Sequence, residues 1–293
     1  MSITAAMVKE LRERTGSGMM ECKKALVETN GDLEAAIEQM RKSGMAKADK
    51  KSGRIAAEGR IGVKVSDDAK TAVMIDINCE TDFVAKGDDF VNFVDDVAQA
   101  LLAADVDDDE QLLNLSLADG RTVEETRREL IAKLGENITI RRFTRFSTEQ
   151  GGCGGYLHGS RIGVIVELSR PDAELSKDIA MHIAASNPFC ISEQDVPAEI
   201  IEKEKQIFTA QAEESGKPAE IVEKMIAGRI RKYLAEITLL GQPFIKDDKL
   251  TVGKLVDAKG ASVVRFSRFE VGEGIEKKEE NFAEEVMAQV RGD

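Results

Sequence analysis

The 293-residue chain has no tryptophan, two tyrosines and two histidines, and aromatic residues make up only 4% of it. This scarcity does not signal disorder. With 42% hydrophobic and 32% charged residues the balance is that of a folded globular chain, long enough for one large domain or two to three smaller ones. No run of 18 apolar residues exists, which excludes a membrane-spanning helix. The first 15 residues are amphipathic and lack an apolar block with a cleavage site, so neither a signal nor a transit peptide is expected, and a cytoplasmic location is. Cys22, Cys79, Cys153 and Cys190 stand singly, without the Cys-x-x-Cys pairs of a zinc or redox site, which fits a reducing compartment.

Missing motifs exclude whole classes of chemistry. There is no Gly-x-x-x-x-Gly-Lys-Ser/Thr phosphate loop and no Gly-x-Gly-x-x-Gly turn between strand and helix, so no bound nucleotide or other cofactor is expected. His158 and His182 lack a convincing nucleophile, so no catalytic residues are assigned, and His182 reads as a core or boundary histidine. Residues 105–110 are acidic but lack the spacing of a calcium loop, and they read as a solvated loop without a metal. A net charge of -13 excludes a general nucleic-acid binder. That charge is uneven: residues 1–55 carry 11 basic and 8 acidic side chains, a net +3, which leaves -16 for the rest.

What is present divides the chain into five parts, and the fold class is α+β. Residues 1–55 hold three short helices and a linker. Val8 and Leu11 recur at helical spacing before Thr15-Gly16-Ser17-Gly18, and Cys22, Ala25 and Leu26 repeat the pattern until Asn30-Gly31. Asp32 caps a third helix through Met40, Ser43-Gly44 is expected to end it, and residues 45–54 read as a linker or a loosely docked helix. The body repeats a strand-strand-helix-strand unit. Asp96-Val97-Ala98 has its counterpart in Asp178-Ile179-Ala180, and Arg142-Phe143-Thr144-Arg145-Phe146 in Arg265-Phe266-Ser267-Arg268-Phe269. The first subdomain covers residues 56–148 and the second covers 149–195 with 237–270.

The second copy is longer by 41 residues, which places an insertion at 196–236. It reads as an antiparallel hairpin of two charged helices joined by Ser215-Gly216-Lys217, projecting from the body and available for pairing with another chain. A C-terminal module, 271–293, ends in a helix with Phe282, Val286 and Val290 on one face. Residues 151–155 (Gly-Gly-Cys-Gly-Gly) read as a linker.

Aligning Val73 with Val164 shows that the first copy has nine extra residues between its second strand and its helix, within residues 78–87. Phe83 lies on this added connection. It reads either as a buried anchor of its loop or as an exposed contact. Met19 and Met20 likewise suit a core or a binding surface, and His158, at a hairpin turn, suits solvent or a partner.

Residues 80–86, Glu-Thr-Asp-Phe-Val-Ala-Lys, resemble the signature of the bacterial translation elongation factor Ts family. The segments Leu11-Arg12-Glu13-Arg14-Thr15-Gly16, Met19-Met20-Glu21-Cys22-Lys23-Lys24 and Arg268-Phe269-Glu270-Val271-Gly272-Glu273-Gly274 are similar to the family's two ends. The resemblance implies a UBA-like N-terminal bundle and a guanine nucleotide exchange factor for the GTPase elongation factor Tu. It implies that Asp82 and Phe83 intrude beside the partner's magnesium, with Thr81 and Val84 shaping the loop, and that Met19, Met20 and His158 make further partner contacts. Some members of the family self-associate through the hairpin. The factor would catalyse exchange on its partner without covalent chemistry, and a non-exchanging adaptor that tethers a partner protein is the alternative.

Overall fold

The computed structural model describes residues 3–213 and 218–276, without the side chains of 45–49 and 213. The helix expected within 281–290 and the junction at 215–217 lie outside the described residues. Three helices open the chain: α1 (Ala5–Thr15), α2 (Met19–Glu28) and α3 (Leu33–Lys51). The first half of the body follows as β1 (Glu58–Val65), β2 (Thr71–Cys79), α4 (Asp82–Lys86), α5 (Asp88–Ala103), α6 (Asp109–Asn114), α7 (Val123–Leu134) and β3 (Ile138–Ser147). The second half begins with β4 (Gly152–His158), β5 (Ile162–Leu168) and α8 (Ala173–Ser186), and is interrupted by α9 (Ala198–Glu213) and α10 (Ala219–Ile237). It resumes as β6 (Pro243–Phe244), β7 (Asp247–Thr251), α11 (Val252–Ala258) and β8 (Val263–Glu270).

Local chemistry sets the N-terminal bundle. Thr4 caps α1 by accepting from Met7 N at 3.3 Å, and Gly16 closes it in the left-handed conformation at φ 66°. Asp32 accepts from Ala35 N at 3.0 Å to start α3. Val8, Leu11, Cys22, Leu26 and Ala36 fill the small core between the three helices. Contrary to expectation, α3 does not stop at Ser43-Gly44 but runs to Lys51. Gly44 is buried where α3 meets α7, and a Cβ there would lie 3.1 Å from that of Ala132. Arg41 pairs with Glu125 of α7 at 2.6 Å, and Lys51 Nζ donates to Gly135 O just beyond it. Close packing of this kind outweighs the ~1 kcal/mol cost of a helical glycine relative to alanine.

The two halves share one topology, antiparallel sheets ordered β1-β2-β3 and β4-β5-β8. Even their irregularities coincide. Register shifts between Asp76 and Ile77 in β2 and between Glu167 and Leu168 in β5, positions equivalent when Val73 is aligned with Val164. Arg142 of β3 meets Asp76 at 3.1 Å, and its counterpart Arg265 of β8 meets Glu167 at 2.6 Å. A threonine-capped helix precedes the last strand of each half, α7 behind Thr122 and α11 behind Thr251; neither was anticipated by the strand-strand-helix-strand unit.

The sheets pack face to face through Ile61, Ala72, Met74 and Phe146 on one side and Cys153, Ile165 and Phe269 on the other. The outer face of the first sheet is covered by α5 and α7, with Phe90, Phe93, Val97 and Leu101 over Val73, Ile75 and Ile77. Ile179, Ile183, Val252 and Val256 of α8 and α11 cover Val164, Val166 and Leu168 on the second. β2 is thus buried on both faces.

Two further expectations change. Residues 152–155 are not a linker but the first part of β4. A Cβ on Gly154 would fall 2.3 Å from Ser176 Oγ and one on Gly152 2.7 Å from Pro171 Cα, so these glycines let α8 and the segment before it lie directly on the strand. The acidic stretch is not a plain loop either: Asp108 accepts from Gln111 N at 2.8 Å to cap α6, and Asp105 pairs with Arg145 at 2.9 Å.

The inserted α9 and α10 form a hairpin held by Phe208 set edge-on to Tyr233 at 6.4 Å, with Arg229 over the Phe208 ring. At its base Leu239 N donates to Cys190 O at 2.9 Å and Leu240 N to Ile191 O at 3.0 Å.

Candidate partner-binding site

The added connection forms α4, a five-residue helix between the buried strand β2 and the core helix α5. Thr81 caps it, its Oγ1 accepting from Val84 N at 3.3 Å. Asp82 follows in the first turn, where a carboxylate suits the helix N-terminus, and Lys86 Nζ donates to it at 2.6 Å. That hydrogen bond and the lysine charge hold the Asp82 carboxyl below the usual aspartate range, so it is ionised at neutral pH.

Phe83 separates from its neighbours. Its residue is 84% exposed, whereas Val84 and Ala85 are 8% and 6% exposed. Full burial of a phenylalanine side chain stabilises by ~2 kcal/mol, a gain this ring does not take. Val84 and Ala85 join the core beneath α5 and supply the anchoring that the sequence left open for Phe83. The second half has no counterpart to α4, since only residues 169–172 separate β5 from α8.

The connection is held from the turn between α7 and β3. Glu136 accepts from Thr81 Oγ1 at 2.6 Å, Thr81 N at 3.0 Å and Glu80 N at 3.1 Å, and Glu80 Oε1 in turn accepts from Asn137 N at 2.6 Å. Cys79, beneath, donates to Thr81 O at 3.2 Å. Burial, with Glu136 and Glu58 nearby, pushes its thiol up to about 12, which keeps it protonated and unreactive.

The remaining candidates stand on other elements. Met19 and Met20 begin α2 and are 57% and 75% exposed, while Cys22, Ala25 and Leu26 take the buried face. His158 ends β4 in the open, its Nδ1 3.2 Å from the Tyr156 hydroxyl, and Gly159 turns the chain at φ 59°. These residues stand on separately packed elements: α4 packs on β1, β2 and α5, α2 on α1 and α3, and β4 on α8, β5, β1 and β2. His182, by contrast, is wholly buried, with Nε2 2.9 Å from Gln242 Oε1 and Nδ1 accepting from Ile245 N at 3.2 Å. It is a satisfied core residue whose pKa burial lowers.

Among the described residues no group of three or more His, Cys, Asp or Glu side chains is placed to hold a metal ion, and no helix is long and apolar enough to cross a membrane. A family model described as Elongation factor TS matches residues 80–273. Elongation factor Ts of Methylococcus capsulatus is 69% identical over 291 residues, covering 99% of both chains, and that of Thioalkalivibrio sulfidiphilus is 65% identical over the full length of both. The chain belongs to the elongation factor Ts family.

Membership makes it a translation elongation factor. The interrupted repeat marked the connection at 78–87 and the family resemblance singled out Thr81, Asp82, Phe83 and Val84 within it, but neither pointed to Glu136, 55 residues away from Thr81. Gly135, which closes α7 in the left-handed conformation, is the sequence signal that could have marked that turn.

Proposed function

We propose that this chain accelerates the release of GDP from elongation factor Tu and so allows GTP to replace it. A nanomolar nucleotide complex is worth ~12 kcal/mol and dissociates slowly, so the factor must spend binding energy of its own on weakening it. Reciprocal linkage permits this. Factor and nucleotide lower each other's affinity in a ternary complex, and excess GTP then displaces the factor. The carrying observation is Phe83, an aromatic held 84% exposed beside the ionised Asp82 on an element that the repeat does not need.

Magnesium neutralises phosphate charge in such GTPases. In this reading Phe83 wedges against the elements supporting the ion and Asp82 supplies the polar contact, which dislodges magnesium and loosens the diphosphate. Thr81 and Val84 keep the wedge in place. Met19 and Met20 contact the partner's nucleotide domain, and His158 a more distant one. No step forms or breaks a covalent bond, no cofactor is needed, and the work belongs in the cytoplasm. Self-association through α9 and α10 is a second use, supported by exposed Ile207 and Ile221.

Stopped-flow dissociation of labelled GDP from elongation factor Tu tests the proposal. Wild type is expected to accelerate release, and the double variant D82A/F83A to fold and bind but lose most of the acceleration. Absence of acceleration by wild type would favour the non-exchanging adaptor, while an unimpaired double variant would remove the assigned mechanism.

A further inference from the structure

We infer that Glu136 is the positioning residue of the exchange element, fixing the α4 wedge and linking it to the end of the N-terminal module. The inference rests on the exchange reading given above. A wedge acts on its partner only if it cannot yield, and α4 is too short to be rigid by itself: five residues lie far below the length at which a helix is stable alone. Its buried side, Val84 and Ala85, fixes depth. Something else must fix the turn that enters it.

The Glu136 carboxylate does so with three hydrogen bonds from two consecutive residues, to the Thr81 hydroxyl and to the Thr81 and Glu80 backbone N–H groups at 2.6, 3.0 and 3.1 Å. Bonds to an ionised acceptor are about twice as strong as neutral ones. The bonding is reciprocal, because Glu80 accepts from Asn137 N at 2.6 Å. Thr81 serves two purposes at once, donating to Glu136 while accepting from Val84 N to cap the helix.

The same turn receives the chain leaving the N-terminal helices. Lys51 Nζ donates to Gly135 O, and Asn137 Nδ2 donates to Arg54 O at 2.8 Å. Arg54 also reaches Glu80 at 3.5 Å. Residues 135–137 are thus bonded on one side to the wedge and on the other to the end of α3, whose bundle carries Met19 and Met20. Docking of that bundle on a partner is thereby tied to the orientation of Phe83.

GDP release from elongation factor Tu, measured against factor concentration, separates the plateau rate from the half-saturating concentration. Glu136→Ala is expected to lower the plateau about tenfold, a rise of ~1.4 kcal/mol in the barrier, with little change in half-saturation. Glu136→Gln, whose amide oxygen still accepts from both N–H groups, is expected to recover most of the plateau. Amide hydrogen exchange on the free Glu136→Ala protein is expected to quicken at residues 80–84 while β2 and α5 stay protected. If wild type accelerates release and Glu136→Ala matches its plateau, or if protection disappears across β2 and α5 as well, the positioning role is overturned. If wild type itself fails to accelerate release, the exchange reading falls and this inference with it.

Discussion

Arg142 of β3 holds its guanidinium carbon 4.3 Å from the centroid of the Phe269 ring in β8 of the other half. The repeat returns the contact: Arg265 of β8 stands 4.3 Å from the Phe146 ring in β3. Each arginine also pairs with an acidic residue at the bulge of its own sheet, so two equivalent side chains bind the sheets to each other by cation–π contact and charge together.

The two contacts should not be equal in worth. Asp76 is fully buried, and burial raises its carboxyl above the usual range while Arg142 pulls it back. Arg142→Ala leaves that charge with Arg141 at 3.8 Å and the Asn78 amide at 3.4 Å and should cost about 3 kcal/mol at neutral pH. Arg265 is 45% exposed, and its removal should cost about 1 kcal/mol. Because the folded-state pKa of Asp76 lies above its unfolded value, the Arg142→Ala deficit is present above that pKa and shrinks as pH falls through it. Urea unfolding at pH 7 and pH 5 checks both statements, and equal costs at the two sites would contradict them.

Phe83 and Val84 are neighbours with opposite expectations. Phe83→Ala should leave stability within about 0.5 kcal/mol of wild type, as for other exposed sites, yet remove most acceleration of GDP release. Val84→Ala should cost about 1–2 kcal/mol through the methyl groups removed from the core. Unfolding midpoints set beside release rates distinguish the two, and a large stability loss for Phe83→Ala would contradict its exposed role.

His182 gives the fold a pH dependence. Its folded-state pKa is depressed below the ordinary 6.5, so the unfolded chain takes up a proton first. Stability is full above that value and should fall as pH drops below it, by at most about 1.4 kcal/mol per pH unit within the window. His182→Gln should flatten this part of the profile. An unchanged slope in the variant would assign it to other groups.

Much of this architecture was legible in the sequence because its determinants are close together along the chain. Asp32 and the Asn30-Gly31 turn act within a few residues, and the equivalence of Arg142 with Arg265 repeats in letter as well as in space. The misread places depend on distant partners. Gly44 looks like a helix stop until Ala132 is set against it, and the glycines of β4 look like a linker until Ser176 and Pro171 lie on them. Glu136 was invisible for the same reason: a lone glutamate after a helix carries no sign that it will hold a turn 55 residues earlier. The exposure of Phe83 was undecidable as well, because the alternation of faces in so short a helix depends on which side meets α5.

The hairpin of α9 and α10 enters and leaves the second half at one point, where Cys190 and Thr238 are bridged and the flanking backbone is already paired. Nothing in the sheets registers how far the two helices extend beyond that seam. Length there is a free variable: the arm could be lengthened or trimmed without renegotiating the strands, which makes it the place where this architecture can change its reach while keeping α4 still.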